Sequence, residues 1–249
     1  VLKQTGRLSE SLLPLQKVVE LSPRDAEAHN NLGNALKSLD RLDEAETHYN
    51  RAIALNPDYA QTYFNLGNTL QAKGNPGSAI WFHARAISLK DDYVKAYHGL
   101  GVALKQTEFT KGKQSLHPIL VDLLTKGNFV RPSEVSSAIL SLLKQEKQIN
   151  DLLVNTSTVR DINEVDRAIK VLAQFPLLQQ LMRICPLPDL QLEALFVSVR
   201  RGLLEGLDHN DPSPEQIGFA VTLALHCFTN EFVYFESDEE AELIQHMEQ

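Results

Sequence analysis

The stretch that decides the fold is Asn31-Leu32-Gly33-Asn34, because it returns unchanged as Asn65-Leu66-Gly67-Asn68. The same offset of 34 residues carries many further positions onto residues of the same type. These matches include Pro23 with Pro57, Ala45 with Ala79, Ala52 with Ala86, Gly67 with Gly101, and Tyr59 with Tyr93. Self-similarity at a fixed period of this length is typical of a helical solenoid, in which each hairpin buries its apolar face against its neighbours.

The spacing within one unit predicts two helices that pack closely. Leu32 and Leu36 stand four residues apart and therefore share one face of a first helix. Gly33 lies beside them, and its missing side chain lets a second helix approach. The small residues Ala45 and Ala52 are expected on the matching face of that second helix. The pattern is carried by Leu32, Gly33, Ala45, Ala52, Pro57, Leu66, Gly67, Ala79, Ala86, Leu100 and Gly101.

These residues resemble the tetratricopeptide repeat, so we expect an all-α chain that begins as a superhelix of helical hairpins. Residues 26–59 and 60–93 are read as two full units, each ended by a proline or a turn that cannot continue a helix. Residues 1–25 match a second helix alone, and residues 94–106 match a first helix alone. Together these segments define a repeat array over residues 1–106.

The repeat pattern is expected to give way to other helices within residues 107–130. Lys113 stands where the pattern calls for a small residue, and Pro118 is expected to interrupt the helix. From residue 131 to residue 249, amphipathic helices without an internal repeat predict a nonrepetitive α-helical bundle. One such helix follows the capping residue Ser133.

The second half carries a further resemblance. The elements Leu192-Glu193, Arg200-Arg201 and Ala224-Leu225-His226-Cys227-Phe228 are similar to a helical region that follows tetratricopeptide repeats in large bacterial proteins. In those proteins an S-adenosylmethionine-dependent methyltransferase domain typically comes next. The resemblance implies that this chain is the non-catalytic part of such a protein.

Resemblance to the repeat family also implies a binding surface, because the first helices of such repeats line a groove for extended peptides. The matching positions are Asn31, Asn34 and Lys37 in the first full unit, Asn65, Asn68 and Gln71 in the second, and Gly99, Val102 and Lys105 in the third first helix. An asparagine amide both donates and accepts, so stacked asparagines can grip a peptide backbone. A similar asparagine ladder occurs in O-linked N-acetylglucosamine transferases. The alternative is that these amides merely solvate a helix face.

A second candidate contact lies near the end of the chain, where Asn230 and Glu231 stand between Phe228 and Phe232. Polar groups among apolar neighbours need hydrogen-bond partners. One interpretation is a capping network that joins the last helices. The other is a site that contacts a protein partner or a ligand.

Composition excludes several other functions. With 24 Lys and Arg against 32 Asp and Glu, the net charge of −8 disfavours a nucleic-acid binder, which needs a basic face. Two cysteines cannot form a disulfide framework or a four-cysteine zinc site. No apolar run approaches the ~20 residues that span a bilayer. Without a signal peptide, the chain is expected to be a cytoplasmic fragment of a longer protein.

No cofactor, metal or catalytic site is predicted. The eight histidines include no pair four residues apart, the spacing that places two metal ligands on one helix face. No glycine-rich loop follows a strand, so a nucleotide-binding core is not expected. We therefore expect a scaffold that binds a protein or an extended peptide and is attached to a methyltransferase. The alternatives are a stand-alone adaptor or assembly factor and, third, an enzyme acting within these residues.

Overall fold

The computed structural model describes residues 2–155, 162–207 and 214–229, and every regular element in these ranges is helical. This confirms the all-α fold class and the helical-repeat superhelix. Contacts divide the chain into two compact units, Val1–Thr107 and Glu108–Gln249. Each unit has its own apolar core.

Within the described residues, the first unit contains six helices. They are α1 (Leu2–Leu21), α2 (Ala26–Ser38), α3 (Leu42–Leu55), α4 (Ala60–Ala72), α5 (Pro76–Leu89) and α6 (Val94–Lys105). The pairs α2–α3 and α4–α5 are the two complete hairpins, α1 packs on α2, and α6 packs on α5.

Local sequence explains where these helices begin. The Asp25 side chain accepts hydrogen bonds from the backbone N–H groups of Glu27 at 2.8 Å and Ala28 at 3.2 Å, which caps α2. Asn75 caps α5 in the same way by accepting from the Ser78 N–H at 3.2 Å. Pro76 follows in the first turn of α5, where its missing N–H costs nothing.

The small residues of the repeat pattern lie where the helices meet. Ala45 and Ala52 on α3 are completely buried, and so are their counterparts Ala79 and Ala86 on α5. A Cβ atom added to Gly33 would lie 2.7 Å from the Tyr49 ring, so α2 and α3 approach closely only because this position is glycine.

The second unit begins with a 3₁₀ turn and contains seven helices within the described residues. The turn spans Gln114–Leu116, and the helices are α7 (His117–Lys126), α8 (Pro132–Leu143), α9 (Lys147–Val154), α10 (Ile162–Leu172), α11 (Pro176–Ile184), α12 (Leu190–Leu207) and α13 (Pro214–Thr229). Helix α11 packs against α7, α8 and α13, while α10 packs against α9, α12 and α13. The fully buried side chains include Leu120, Leu123, Leu178, Leu181 and Phe196.

The expectation that Pro118 interrupts a helix was wrong. Pro118 stands in the first turn of α7, where a proline ring is compatible with the helix and its missing N–H has no intrahelical partner to lose. The helix ends at Gly127, whose φ of 61° is the left-handed conformation that glycine adopts without strain.

Two polar contacts join α13 to α11 inside the second unit. The buried His226 ring lies with Nδ1 3.0 Å from the Met182 carbonyl oxygen. One turn earlier on α13, Thr222 Oγ1 accepts a hydrogen bond from Arg183 at 3.2 Å. These contacts orient α13 by pairing polar groups that burial would otherwise leave unsatisfied.

Candidate functional site

The residues predicted to bind a peptide lie on the neighbouring helices α2, α4 and α6, but they differ in exposure. Asn31 and Lys105 are exposed, Asn34, Lys37, Asn68 and Gln71 are half-buried, and Asn65 is buried. We define the first-helix face as the six members of this set that reach solvent, namely Asn31, Asn34, Lys37, Asn68, Gln71 and Lys105.

Asn65 is used inside the fold and is not a second copy of the exposed Asn31. Its side-chain amide donates to Asn30 Oδ1 at 2.9 Å and accepts from Gln61 at 3.2 Å. Thr62 Oγ1 also donates to Asn30 Oδ1, at 3.3 Å. Asn30 and Asn65 are only 2% and 6% exposed, so this amide pair joins α2 to α4 away from water.

The Asn34 side chain on α2 accepts a hydrogen bond from α3, the second helix of the same hairpin. The Tyr49 hydroxyl donates to Asn34 Oδ1 at 2.8 Å. Burial raises the pKa of Tyr49, so this hydroxyl keeps its proton and remains a donor. Since the oxygen of the Asn34 amide is occupied from the interior, its N–H groups are left for the first-helix face.

Gln71 is held in a similar way by His83. The Gln71 Oε1 atom lies 2.9 Å from His83 Nε2, and an amide oxygen can only accept, so we assign the histidine proton to Nε2. The Gln71 amide nitrogen lies 3.5 Å from the Gly99 carbonyl oxygen. No sequence signal indicated that His83 orients a residue of the first-helix face.

The His83 ring fills a slot between two glycines. A Cβ atom added to Gly67 or Gly99 would lie 2.7 Å or 2.5 Å from the ring. The side chain is completely buried, and its Nδ1 atom has no hydrogen-bond partner in the part of the chain that the structure describes. Burial, with a smaller contribution from the Lys37 charge, lowers the pKa of His83 to about 4. The ring is therefore neutral at physiological pH.

Lys37 carries a half-buried charge on the first-helix face. Burial lowers the pKa of its ammonium group. Among the described residues, none forms a hydrogen bond or an ion pair with this ammonium group. A charge that loses hydration without gaining a partner is costly to the free protein.

The third first helix offers a different surface. Gly99 occupies the position of Asn65, and Val102, at the position of Asn68, is 48% exposed. Lys105 follows one turn later. The amide pattern of α2 and α4 therefore does not continue on α6.

The second unit contains a buried polar cluster that the sequence did not reveal. The Glu146 carboxylate accepts a hydrogen bond from Gln114 at 2.6 Å and lies 3.4 Å from His117 Nε2. Burial lowers the pKa of His117, and the neighbouring Glu146 charge partly offsets this effect. The cluster connects the 3₁₀ turn, α7 and the start of α9.

A cavity of about 200 Å³ opens elsewhere in the second unit, between α8 and the segment before α12. Lys144 at its wall forms an ion pair with Asp189 and a 3.1 Å hydrogen bond with Gln191. Ser141 accepts from the Phe109 N–H at 2.9 Å. The Lys144 and Asp189 charges at the cavity wall are thus already paired with each other.

Among the described residues, the remaining candidates for chemistry are the two cysteines. Cys185 is buried, and burial raises the pKa of its thiol to about 11, which keeps it protonated and unreactive. Cys227 lies 3.9 Å from an Arg200 nitrogen. Within residues 2–155, 162–207 and 214–229, no three His, Cys, Asp or Glu side chains converge as a metal site would require. Asn230 and Glu231 lie outside the described residues.

No described helix combines the length and the apolar character that crossing a membrane would demand.

The comparison with protein families agrees with the architecture of the first unit. Residues 1–40 and 33–74 match the family model described as TPR repeat. Over residues 1–74 the chain is therefore similar to tetratricopeptide repeats. The resemblance to this repeat that was predicted from Asn31-Leu32-Gly33-Asn34 and its copy is confirmed over residues 1–74. No match was found among curated proteins.

Several solved structures are similar to the chain. An O-GlcNAc transferase variant from Thermobaculum terrenum is 29% identical over 50% of this chain, with a TM-score of 0.41, and only 24% of that transferase is covered. YrrB, described as a TPR protein with an unusual peptide-binding site, is 16% identical to this chain. The match covers 74% of this chain and 91% of YrrB, with a TM-score of 0.35. PilF from Pseudomonas aeruginosa is 17% identical to this chain. The match covers 98% of this chain and 91% of PilF, with a TM-score of 0.39.

Proposed function

We propose that the chain is a protein-interaction scaffold whose TPR array binds an extended peptide on the first-helix face. The observation that carries this proposal is the set of half-buried and exposed amides on the adjacent helices α2 and α4. The Asn34 and Gln71 amides are held by side chains beneath them, so both amides are already oriented before a ligand arrives. Preorganised donors reduce the entropic cost of binding.

The buried Asn65 narrows the proposed site. Because its amide joins α2 to α4, the contacts with a peptide backbone fall to Asn31, Asn34, Asn68 and Gln71. An uninterrupted asparagine ladder over α2, α4 and α6 is not part of the proposal. Val102 would instead offer an apolar contact at the α6 end.

We further propose the domain organisation expected from the sequence, with a TPR array over residues 1–106, a transition over 107–130 and a helical accessory domain over 131–249. The resemblance of the second half supports attachment to an S-adenosylmethionine-dependent methyltransferase, with this chain as a non-catalytic cytoplasmic part. A stand-alone adaptor remains the alternative. The gene sequence after residue 249 distinguishes them, since a strand, a glycine-rich loop and a helix would indicate the methyltransferase.

Peptide binding is tested by selecting random linear peptides, displayed on phage, against the full chain. The affinities of the selected peptides are then measured by fluorescence anisotropy for Asn31→Ala and Asn68→Ala. Each change removes one amide and is expected to weaken binding about fivefold, the equivalent of one hydrogen bond of ~1 kcal/mol. Neither residue supports the core, so circular dichroism should show unchanged folding.

The matched control is Asn50→Ala, which removes an exposed amide from α3, a second helix. Selected peptides should bind this variant as they bind the original chain. The proposal fails if no peptides are enriched, or if the α2 and α4 variants bind as tightly as the α3 control.

A further inference from the structure

Two histidine rings meet between α2 and α3 in the first hairpin. The Nδ1 atoms of His29 and His48 lie 3.1 Å apart, within hydrogen-bond distance, and the ring centroids are 5.3 Å apart. The other ring nitrogen of His29, Nε2, lies 3.2 Å from the Pro23 carbonyl oxygen. A carbonyl oxygen only accepts, so we assign a proton to His29 Nε2. In the neutral pair, His29 Nδ1 is therefore the acceptor and His48 Nδ1 is the donor.

The corresponding positions of the next repeats show that the fold does not need histidines here. An offset of 34 residues places Tyr63 and Phe82 at the positions of the two histidines, and these rings pack with their centroids 6.4 Å apart. After the same offset again stands Tyr97, whose hydroxyl donates to the Asp91 carbonyl oxygen at 3.1 Å. Asp91 in turn stands at the position of Pro23. Aromatic residues therefore supply both the packing and the carbonyl contact without titrating in the acid range.

The hydrogen bond between the histidines depends on how many protons the pair carries. A first added proton can be held on His48, because the protonated ring still donates its Nδ1–H to His29. A second added proton must go to His29 Nδ1, since Nε2 of that ring is already protonated. Two cationic rings then face each other through N–H groups 3.1 Å apart, and neither accepts. Double protonation therefore replaces an attraction between α2 and α3 by a repulsion.

The carboxylate nearest to the pair in sequence does not cancel this repulsion. Burial and then the His29 charge lower the pKa of His48, and Glu44, one turn earlier on α3, offsets only part of this effect. The Glu44 carboxylate is also held by Arg41 through two hydrogen bonds of 2.6 Å each.

The other elements around the pair bring no excess of negative charge. Asp43 and Glu46 on α3 are paired with Lys73. The sequence of α4, which packs on α2 and α3, contains no charged residue, and Lys37 stands at the opposite end of α2 from the pair. On the side of α1, basic and acidic residues are equal in number over α1, the following turn and the start of α2. They are Lys3, Arg7, Lys17 and Arg24 against Glu10, Glu20, Asp25 and Glu27.

The direction of the pH dependence follows from the number of protons bound. Because the folded chain resists the second proton, it binds fewer protons than the unfolded chain below the ordinary histidine pKa of ~6.5. The stabilisation by this contact is therefore complete above about pH 6.5 and is lost as the pH falls below that value. The two rings titrate as a coupled pair, so the loss belongs to the pair and not to one ring.

We propose that the His29–His48 contact is an acid-sensitive element that holds α2 against α3 at neutral pH and loosens their packing when both rings are protonated. His48 adjoins Tyr49, whose hydroxyl donates to the Asn34 amide on α2 at 2.8 Å. Loosening at the histidines would therefore also release Asn34 and weaken the binding of a peptide to the first-helix face. This second step rests on the proposed peptide-binding function, whereas the first step does not.

Hydrogen exchange of the full chain, followed by mass spectrometry, tests the first step. The protection of backbone amides in α2 and α3, relative to the intrinsic exchange rate at each pH, is compared between about pH 7 and about pH 5. We expect the original chain to lose about tenfold in protection over this range. One excess proton bound by the unfolded state changes the unfolding equilibrium about tenfold per pH unit.

Two variants keep a contact between the helices but remove its dependence on protonation. His29→Tyr combined with His48→Phe installs the residues of the next repeat, where the same rings pack. His48→Gln provides an amide that can donate to His29 or accept from it. Both should lose only about twofold in protection, less than one full proton would cause. His98→Gln removes an exposed histidine from α6, and this control should lose as much as the original chain. His83 remains in all of these proteins, so its own titration cancels in the comparison.

The first step is refuted if His48→Gln loses as much protection in acid as the original chain. This variant alone decides the matter if the double variant does not fold. It is also refuted if α2 and α3 of the original chain keep their protection at about pH 5.

The second step is tested with a phage-selected peptide that lacks Asp, Glu and His, so that the peptide itself does not titrate. Its affinity is measured by fluorescence anisotropy at both pH values. The original chain should lose about fivefold more affinity in acid than His48→Gln, the scale of one lost hydrogen bond. Equal losses would refute the second step and leave the first in place. If the selection returns no peptide, the proposed function fails, while hydrogen exchange still decides whether the contact is acid-sensitive.

Discussion

The interface between α2 and α4 and the interface between α4 and α6 occupy equivalent places in the TPR array but use different chemistry. At the first, the buried amides of Asn30 and Asn65 share a 2.9 Å hydrogen bond. The residues 34 positions later are Phe64 and Gly99. There the amide pair is replaced by aromatic packing, with the Phe64 ring 5.8 Å from the His83 ring.

The buried second-helix side chains that contact these two interfaces also differ. Tyr49 lies against Gly33, while its counterpart His83 lies against both Gly67 and Gly99. Both reach a half-buried amide on a first helix, Asn34 in one case and Gln71 in the other. Both repeat units therefore place a second-helix side chain against a first-helix amide. The second-helix residue is tyrosine in one unit and histidine in the other. Three measurements test how the two interfaces differ.

At neutral pH, the largest effect is expected from Gly99→Ala. The added methyl group would lie 2.5 Å from the His83 ring, which is wedged between two glycines and held by Gln71. Because the ring is completely buried and must shift to admit the methyl group, we expect a loss of about 1–3 kcal/mol in the free energy of unfolding. Urea unfolding of the full chain, followed by circular dichroism, measures it.

Gly77→Ala is the matched control for this prediction. Gly77 lies in α5 with no atom close enough to meet an added Cβ. The substitution should stabilise the protein slightly, by about 0.5–1 kcal/mol, because alanine loses less backbone entropy in a helix. Equal effects of the two substitutions would show that the slot between Gly67 and Gly99 is not tightly filled.

The next prediction is that His83 makes the free energy of unfolding depend on pH under acidic conditions. Its pKa of about 4 lies below the ordinary histidine value, so between these two values the unfolded chain binds more protons than the folded chain. The stability contribution of the neutral ring is present above pH ~6.5 and is lost as pH falls towards 4. The loss approaches ~1.4 kcal/mol per pH unit in this window.

His83→Tyr tests this by installing the residue of the preceding repeat. The tyrosine has room beside Gly67, as Tyr49 has beside Gly33, and Asn68 stands where Asn34 receives its hydrogen bond. The variant should fold and show a shallower loss of stability from pH 6.5 to 4. His48, His117 and His226, whose pKa values are also lowered by burial, remain in both proteins. Identical pH profiles would exclude His83 as the source.

The smallest effect is expected from removing the salt bridges that Lys73 forms between the two hairpins. Lys73, just after α4, lies 2.6 Å from Asp43 and 2.6 Å from Glu46 on α3. Its counterparts in the neighbouring units are Leu39 and Thr107, so this ion pair is particular to one interface. Exposed pairs of this kind contribute little. Lys73→Met should lower the melting temperature slightly in low salt and not at all in high salt, and a shift that survives high salt would contradict the electrostatic origin.

Much of the first unit could be predicted because its determinants are local. The offset of 34 residues located the hairpins, and prolines and turn residues set where helices end. The burial of Asn65 could not be predicted in this way. Asn31 and Asn65 are equivalent in the repeat, and their different exposure depends on Asn30, which becomes a neighbour of Asn65 only after α2 and α4 pack.

In the second unit, still fewer of the tertiary contacts could be predicted from the sequence. Its helices follow from amphipathic spacing and proline positions, but Pro118 begins a helix instead of interrupting one. The contact between Glu146 and His117 joins residues that are far apart in the chain. Without a repeat, no second copy of the sequence offers a comparison from which such partners could be inferred.

By itself the sequence determined the all-α class, the hairpin period and the small residues at the helix contacts, since these depend on periodicity, backbone propensity and side-chain volume. Tertiary structure alone decided which amides face solvent and which of their atoms remain available. The physical reason is that hydrogen-bond partners such as Tyr49 and His83 come from another helix. The orientation of the Asn34 and Gln71 amides is therefore a property of packing, which the identities of these two residues do not contain.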